Sequence, residues 1–213
     1  MAGRWRKAGW FGMLAGMFCL ASIGTAVAQT QAAPAVGVIT RFQGTLLSVM
    51  KHAKTLGFNG RYHILGPAVQ KSHDLAFIAQ VTLGPYWGRL TPPQRAEFKK
   101  TFARLTIATY ASEFDGYSPG QAFHVTGSRA LPNGDVIVAT ELVSDKGRQA
   151  SLDYLLAPSA GTWRIVNILA NGVSDLALKQ AQYTAVMRAQ GFPALLNKLR
   201  AKVALLMVPH KAA

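Results

Sequence analysis

The sequence predicts a single α+β domain: a four- to five-stranded antiparallel meander covered by N- and C-terminal helices. Three observations carry this. Apolar residues recur at helical spacing from Val36 to Phe114. Four short β-rich runs follow, split by tight turn signals. Helical spacing then resumes after Ser174 and continues to the C-terminus. Helices, a meander and helices again, with no internal repeat, fit an α+β domain in which the helices cover one face of the sheet.

Val36 to Leu56 places Ile39, Phe42, Leu46, Leu47 and Met50 on one helical stripe, and Gly57 to Gly60 interrupts it. Arg61 to Gln70 and Asp74 to Leu83 read as two short helices, the second with Leu75, Ile78 and Val81 on one face. The strongest local signal is Thr91-Pro92-Pro93-Gln94, where Thr91 caps a helix, Pro92 suits its first turn and Gln94 completes a capping box. The helix that follows gathers Phe98, Phe102, Leu105 and Thr109 on one side, with Lys100 and Arg104 opposite. It should end near Phe114, leaving Glu113 and Asp115 in solvent, since residues two apart point away from each other.

Residues 121–128, 134–143, 149–157 and 162–170 are the strands. Pro132-Asn133-Gly134, Asp145-Lys146-Gly147 and Pro158-Ser159-Ala160-Gly161 are the turns, and loops this short force antiparallel neighbours. Val136, Val138, Thr140 and Leu142 alternate with Asp135 and Glu141, so one sheet face is covered and the other wet. Ser174 then caps a helix to about Gln190, Gly191 closes it, and a last amphipathic helix carries Phe192, Leu195, Leu196, Leu199 and Val203, with Lys198, Arg200 and Lys202 outside.

The N-terminus reads as a targeting segment. Arg4, Arg6 and Lys7 precede an apolar run from Ala8 to Val27, and Ala26-Val27-Ala28 is a small-x-small cleavage site before Gln29. An uncleaved anchor is the alternative, because the run approaches the ~20 residues that span a bilayer. The expected organisation is 1–28 signal peptide, 29–35 flexible lead-in, 36–205 one domain and 206–213 tail. Removing residues 1–28 also removes Cys19, the only cysteine, and with it any disulfide, thiol nucleophile or thiolate ligand. What remains has 20 basic against nine acidic residues, a net +11. That charge suits an anionic partner. Export and the lack of a basic-aromatic stacking motif argue against nucleic acid, leaving anionic headgroups or an acidic protein surface.

Catalytic chemistry is sparse. The carboxylates are scattered, and no glycine-rich phosphate loop or nucleophile elbow is present. His63, His73 and Asp74 are the nearest approach to a metal cluster, but adjacent His73 and Asp74 do not converge on one ion. His124, among apolar neighbours on a strand, is the single candidate general base, with Asp153 as its possible carboxylate. No metal and no cofactor is expected. What stands out is aromatic and apolar content without a catalytic set.

At this point the chain resembles a known family. Asp74, Ile78-Ala79, Leu83-Gly84, Trp87, Pro93-Gln94-Arg95, Phe98, Phe102, Leu105, Tyr110-Ala111 and Tyr117 look like the signature of the MlaC-like, or toluene-tolerance auxiliary, periplasmic phospholipid-binding proteins. Trp163-Arg164-Ile165-Val166, Asn171-Gly172-Val173-Ser174, Gly191, Leu195-Leu196 and Leu199 form a second block similar to its last strand, exit turn and terminal helix. The resemblance covers roughly residues 35 to 203. The chain departs from it at Asn167 and Asn171, where the family often has acids, and at Gln180, where an arginine is common. Gln182-Tyr183-Thr184 is similar to the hopanoid-associated branch, HpnM.

The resemblance implies an NTF2-like α+β fold with an apolar pocket between sheet and helices. It implies a non-enzymatic, monomeric carrier of a phospholipid or hopanoid, exchanging cargo with an inner-membrane MCE-domain transporter and an outer-membrane complex. On that reading residues 36–205 are a lipid-binding domain. The expected walls are Val136, Val138, Leu142, Tyr154, Leu156, Val166 and Ile168 from the sheet, and Leu75, Ile78, Phe98, Phe102, Tyr183, Val186 and Met187 from the helices. A small-molecule enzyme using His124 and a ligand-free docking adaptor are the competing readings.

Overall fold

The computed structural model describes residues 23–208, with side chains from residue 32. The basic n-region and the apolar run as far as residue 22 lie outside the described residues. Among them no helix is long and apolar enough to cross a membrane. The elements are α1 (Ile23–Lys51), α2 (Ala53–Ser72), α3 (Leu75–Leu83), a 3₁₀ turn (Gly84–Arg89), α4 (Pro92–Glu113), β1 (Ala122–Ala130), β2 (Val136–Ser144), β3 (Gly147–Ser159), β4 (Thr162–Ala170), β5 (Val173–Ser174) and α5 (Asp175–Met207).

The sheet order is β1-β2-β3-β4-β5 with every neighbour antiparallel, the meander that the short turns require. In β2, Val136, Val138 and Thr140 are buried while Ile137, Ala139 and Glu141 are only half-covered. Helices pack on the buried face. α1 contributes Ala35, Val38, Ile39, Phe42, Leu46 and Val49, a single 3.6-period stripe, against Val136, Val138, Tyr154, Leu156 and Ile165. Each such large apolar side chain contributes about 1.5–3 kcal/mol on burial. Gln43 is buried on the same stripe. Its amide nitrogen donates to Thr140 Oγ1 at 2.9 Å and Tyr154 Oη at 3.3 Å, so the polar group costs little there.

Two expectations about the chain ends change. Residues 29–35, expected as a flexible lead-in, are helical: α1 starts at Ile23, and Ala32 and Ala35 are buried. Their small side chains let the helix approach the core closely, and that packing outweighs a composition that reads as linker. At the other end α5 runs to Met207, and Leu206 and Met207, expected in the tail, are helical and pack half-buried on the core.

The two glycine breaks hold. Gly57 (φ 58°, ψ −177°) kinks α2 and Gly191 (φ 78°, ψ 179°) kinks α5, a backbone region open essentially to glycine alone. The Thr91–Gln94 capping box forms in both directions. Past the first kink, buried Arg61 donates from Nε to the Ala111 carbonyl at 2.7 Å and from a terminal nitrogen to the Ala53 carbonyl at 3.0 Å. A cation thus sits at the C-terminal end of α4, where the helix dipole favours it, and ties α2 to α4. A second apolar core, separate from the one under α1, joins α3, α4 and α5 through Leu83, Phe98, Phe102, Leu105, Tyr183, Phe192, Leu195 and Leu199.

Candidate functional site

Between the two cores lies a cavity of about 520 Å³. Its walls come from β3 and β4 (Leu152, Tyr154, Ile165, Val166, Ile168), α3 (Leu75, Ile78), α4 (Phe102, Leu105, Thr109, Tyr110) and α5 (Leu176, Tyr183, Val186, Leu195, Leu199). This volume lies within the ~300–1,000 Å³ of ordinary ligand pockets, which are likewise mostly apolar with few polar groups. A smaller groove of about 350 Å³ lies on the other side of the α4–α5 seam, lined by Lys100, Arg104 and Arg200 over Val203 and Met207. It does not connect residues of the sheet to the helices.

A β-bulge shapes the sheet wall. Leu155 pairs with Asn167 and Leu156 with Ile165, so Val166 has no partner on β3. In a regular strand alternate side chains face opposite ways, but a bulge re-aims them. Ile165, Val166, Asn167 and Ile168 therefore all line the cavity, four consecutive residues on one surface.

Several polar groups inside are held by hydrogen bonds. His73 Nε2 lies 3.0 Å from Tyr110 Oη, and Nδ1 lies 2.8 Å from Ser72 Oγ and 3.2 Å from the Val69 carbonyl. Burial lowers the imidazole to about 4, against a smaller opposing effect of the Val69 carbonyl, so it is neutral at pH 7. Burial raises the phenols of Tyr110 and Tyr183 and pushes Tyr154 up to about 12, so all three stay protonated. Asn167 Oδ1 accepts from the Ile168 and Leu176 amides and from Ser174 Oγ, holding the turn from β4 into α5. The mouth carries Glu113, Asp175, Lys179, Lys198 and Lys202.

Of the expected wall residues, Leu75, Ile78, Phe102, Tyr154, Val166, Ile168, Tyr183 and Val186 line this cavity. Six do not. Val136, Val138 and Leu156 are completely buried in the core under α1, because that helix, not α4 or α5, covers their part of the sheet. Phe98 and Met187 pack in the α3–α4–α5 core, where Phe98 stands 6.2 Å from the Tyr183 ring and 6.4 Å from Phe192. Leu142 is half-exposed towards the far end of β2.

His124 is exposed on β1 opposite Glu141, while Asp153 stands opposite Ala139, so the two cannot form an acid-base pair in the pocket. Asp74 is engaged as the cap of α3, accepting from the Phe77 amide, and its other oxygen accepts from Ser159 Oγ. No group of three metal-ligating side chains converges among the described residues. Glu113 ends α4 exposed to solvent, as expected, and also lines the cavity mouth. Lys198 and Lys202, expected on the outer face of the last helix, are exposed there and also border the cavity, while His73, a candidate metal ligand by sequence, lies inside it. The signal for the lysines was their i, i+4 spacing beside Leu195 and Leu199, on the edge of the apolar stripe.

A meander and three helices enclosing an apolar cavity, with no fully buried side-chain polar atom left unbonded among the described residues, define a cavity-type ligand-binding protein. The chain belongs to the MlaC protein family, whose sequence model matches residues 40–201. It is 24% identical over 131 residues to the intermembrane phospholipid transport system binding protein MlaC of Haemophilus influenzae, a match covering 60% of this chain and 61% of that protein. It is 24% identical over 170 residues to the toluene tolerance protein ttg2D of Pseudomonas putida, covering 78% and 77%. In structure it is similar to a phospholipid-binding protein from Ralstonia solanacearum solved in complex with a phospholipid. The TM-score is 0.71 at 20% identity, over 81% of this chain and 98% of that one. That likeness bears out the α+β architecture.

Proposed function

We propose that the chain is a non-enzymatic periplasmic carrier that shields the acyl part of a phospholipid in the cavity between its two cores. The apolar cavity between the two cores is the observation that carries this reading. An acyl chain in water costs ~0.8 kcal/mol per methylene, so two long tails total on the order of 20 kcal/mol. Crossing an aqueous gap unaided is prohibitively slow at that cost. A preformed apolar cavity replaces the membrane contact and needs neither cofactor nor metal. The likeness to relatives described as phospholipid-binding or intermembrane phospholipid transport proteins supports the same cargo, and the family resemblance implies exchange with an inner-membrane MCE-domain transporter and an outer-membrane complex. The N-terminal signal-like segment supports export.

Organic extraction of the purified full chain, followed by mass spectrometry, tests this. A diacyl phospholipid is the expected product; a polycyclic hopanoid instead would move the cargo to the HpnM-like alternative. Val186→Trp places an indole in the cavity from a half-exposed helix position and should lower lipid recovery several-fold with little change in Tm. A wild-type chain that yields no lipid from cells or from vesicles would sink the carrier reading.

A further inference from the structure

The cavity mouth carries three lysines and two carboxylates, of which only Lys179 and Asp175 form an ion pair. Lys179 pairs with Asp175 one turn earlier on α5. At Glu113, at the end of α4, burial raises the carboxyl's pKa, with Lys179 and Lys202 opposing and Asp175 adding to it. Lys198 has no ion partner among the described residues. It stands one turn before Lys202, and both are exposed and line the mouth. Three cations against two anions give the mouth a net charge of +1, with Lys198 directly beside the apolar walls at Leu195 and Leu199.

We propose that Lys198, assisted by Lys202, receives the phosphodiester of the bound lipid, and that the mouth therefore prefers headgroups of net charge −1. The assignment rests on the carrier reading above. A phosphodiester brings the rim to neutrality, and a charge-assisted bond from an ammonium is about twice as strong as a neutral one. A zwitterionic headgroup also brings a cation, and the mouth, with three lysines against Glu113 and Asp175, then keeps a net positive charge that opposes it. The basic groove across the α4–α5 seam cannot serve instead: Arg200 is held there by Glu97 at 2.8 Å, and none of its lining residues borders the cavity.

The test presents fluorescent phosphatidylglycerol and phosphatidylcholine with identical tails in the same vesicles, so that surface charge is common to both. Each is followed into the lipid-stripped full chain. Wild type should take phosphatidylglycerol several-fold better, because phosphatidylcholine offers the same phosphodiester but adds a cation beside a rim of net positive charge. Lys198→Gln should bring the ratio close to one, Lys198→Arg should keep it, and Lys100→Gln in the distant groove should leave it unchanged. Excess inorganic phosphate should not displace the loaded lipid, because the tails anchor it. Equal uptake of both probes by wild type, a ratio insensitive to Lys198→Gln, or displacement by inorganic phosphate overturns this assignment alone. Failure to load either probe overturns the carrier reading with it.

Discussion

The buried imidazole of His73 makes folding sensitive to mild acid. In the unfolded chain it takes a proton near 6.5, but in the folded chain only near 4, chiefly because burial penalises the cation. The stability carried by the neutral ring is therefore complete above pH 6.5 and is lost as the pH falls from 6.5 towards 4. The gap between those values corresponds to about 3 kcal/mol. Urea unfolding across that range should show this decline, and His73→Gln, which keeps a hydrogen-bonding group beside Tyr110 but cannot titrate, should flatten it. A wild-type midpoint that does not move between pH 6.5 and 4 would show that the ring is not buried as described. Lys179, the one cation that acts electrostatically on the ring, lowers its proton affinity further and so reinforces the same sign.

At the scale of elements, the kinks at Gly57 and Gly191 set where the helices change direction, and both use a backbone region closed to other residues. Gly191→Ala should cost about 1–3 kcal/mol for this reason alone. Space is not the obstacle, since an added Cβ would approach nothing nearer than Pro193 Cδ at 3.9 Å. A denaturation midpoint equal to that of wild type would mean α5 straightens without penalty. These kinks, the Thr91 cap and the strand alternation were legible in the sequence because each is written in neighbouring residues. The walls were less so. Period-two alternation shows that Val136 and Val138 share a face with Tyr154, but not that α1 covers the first two while the cavity begins at the third. Nor does any local pattern mark the bulge at Val166, which depends on the register between β3 and β4. Residues 29–35 failed for a related reason: small residues such as Ala32 and Ala35 look like linker until a partner surface is known.

For the whole molecule, the arrangement separates stability from ligand space. One solid core lies beneath α1 and α2, another joins α3, α4 and α5, and the cavity between them borrows rigidity from both without being filled by either. Truncations in the two places should then differ in kind. Phe98, fully buried and ringed by Phe102, Tyr183 and Phe192, loses contacts on every side when cut back, so Phe98→Ala should cost about 3–5 kcal/mol. Ile168 faces the cavity on one side, where no protein atoms meet it, so there is less packing to lose. Ile168→Ala should cost the lipid-free protein only about 1 kcal/mol, below the usual 2–5 for a packed isoleucine. Once loaded, the same variant should lose more, since the ligand supplies the missing contacts and stabilises the form it binds by mass action. Urea titrations of stripped and loaded protein measure both numbers, and equal costs for Ile168→Ala and Phe98→Ala in the stripped state would mean that the interior closes on itself and holds no cargo.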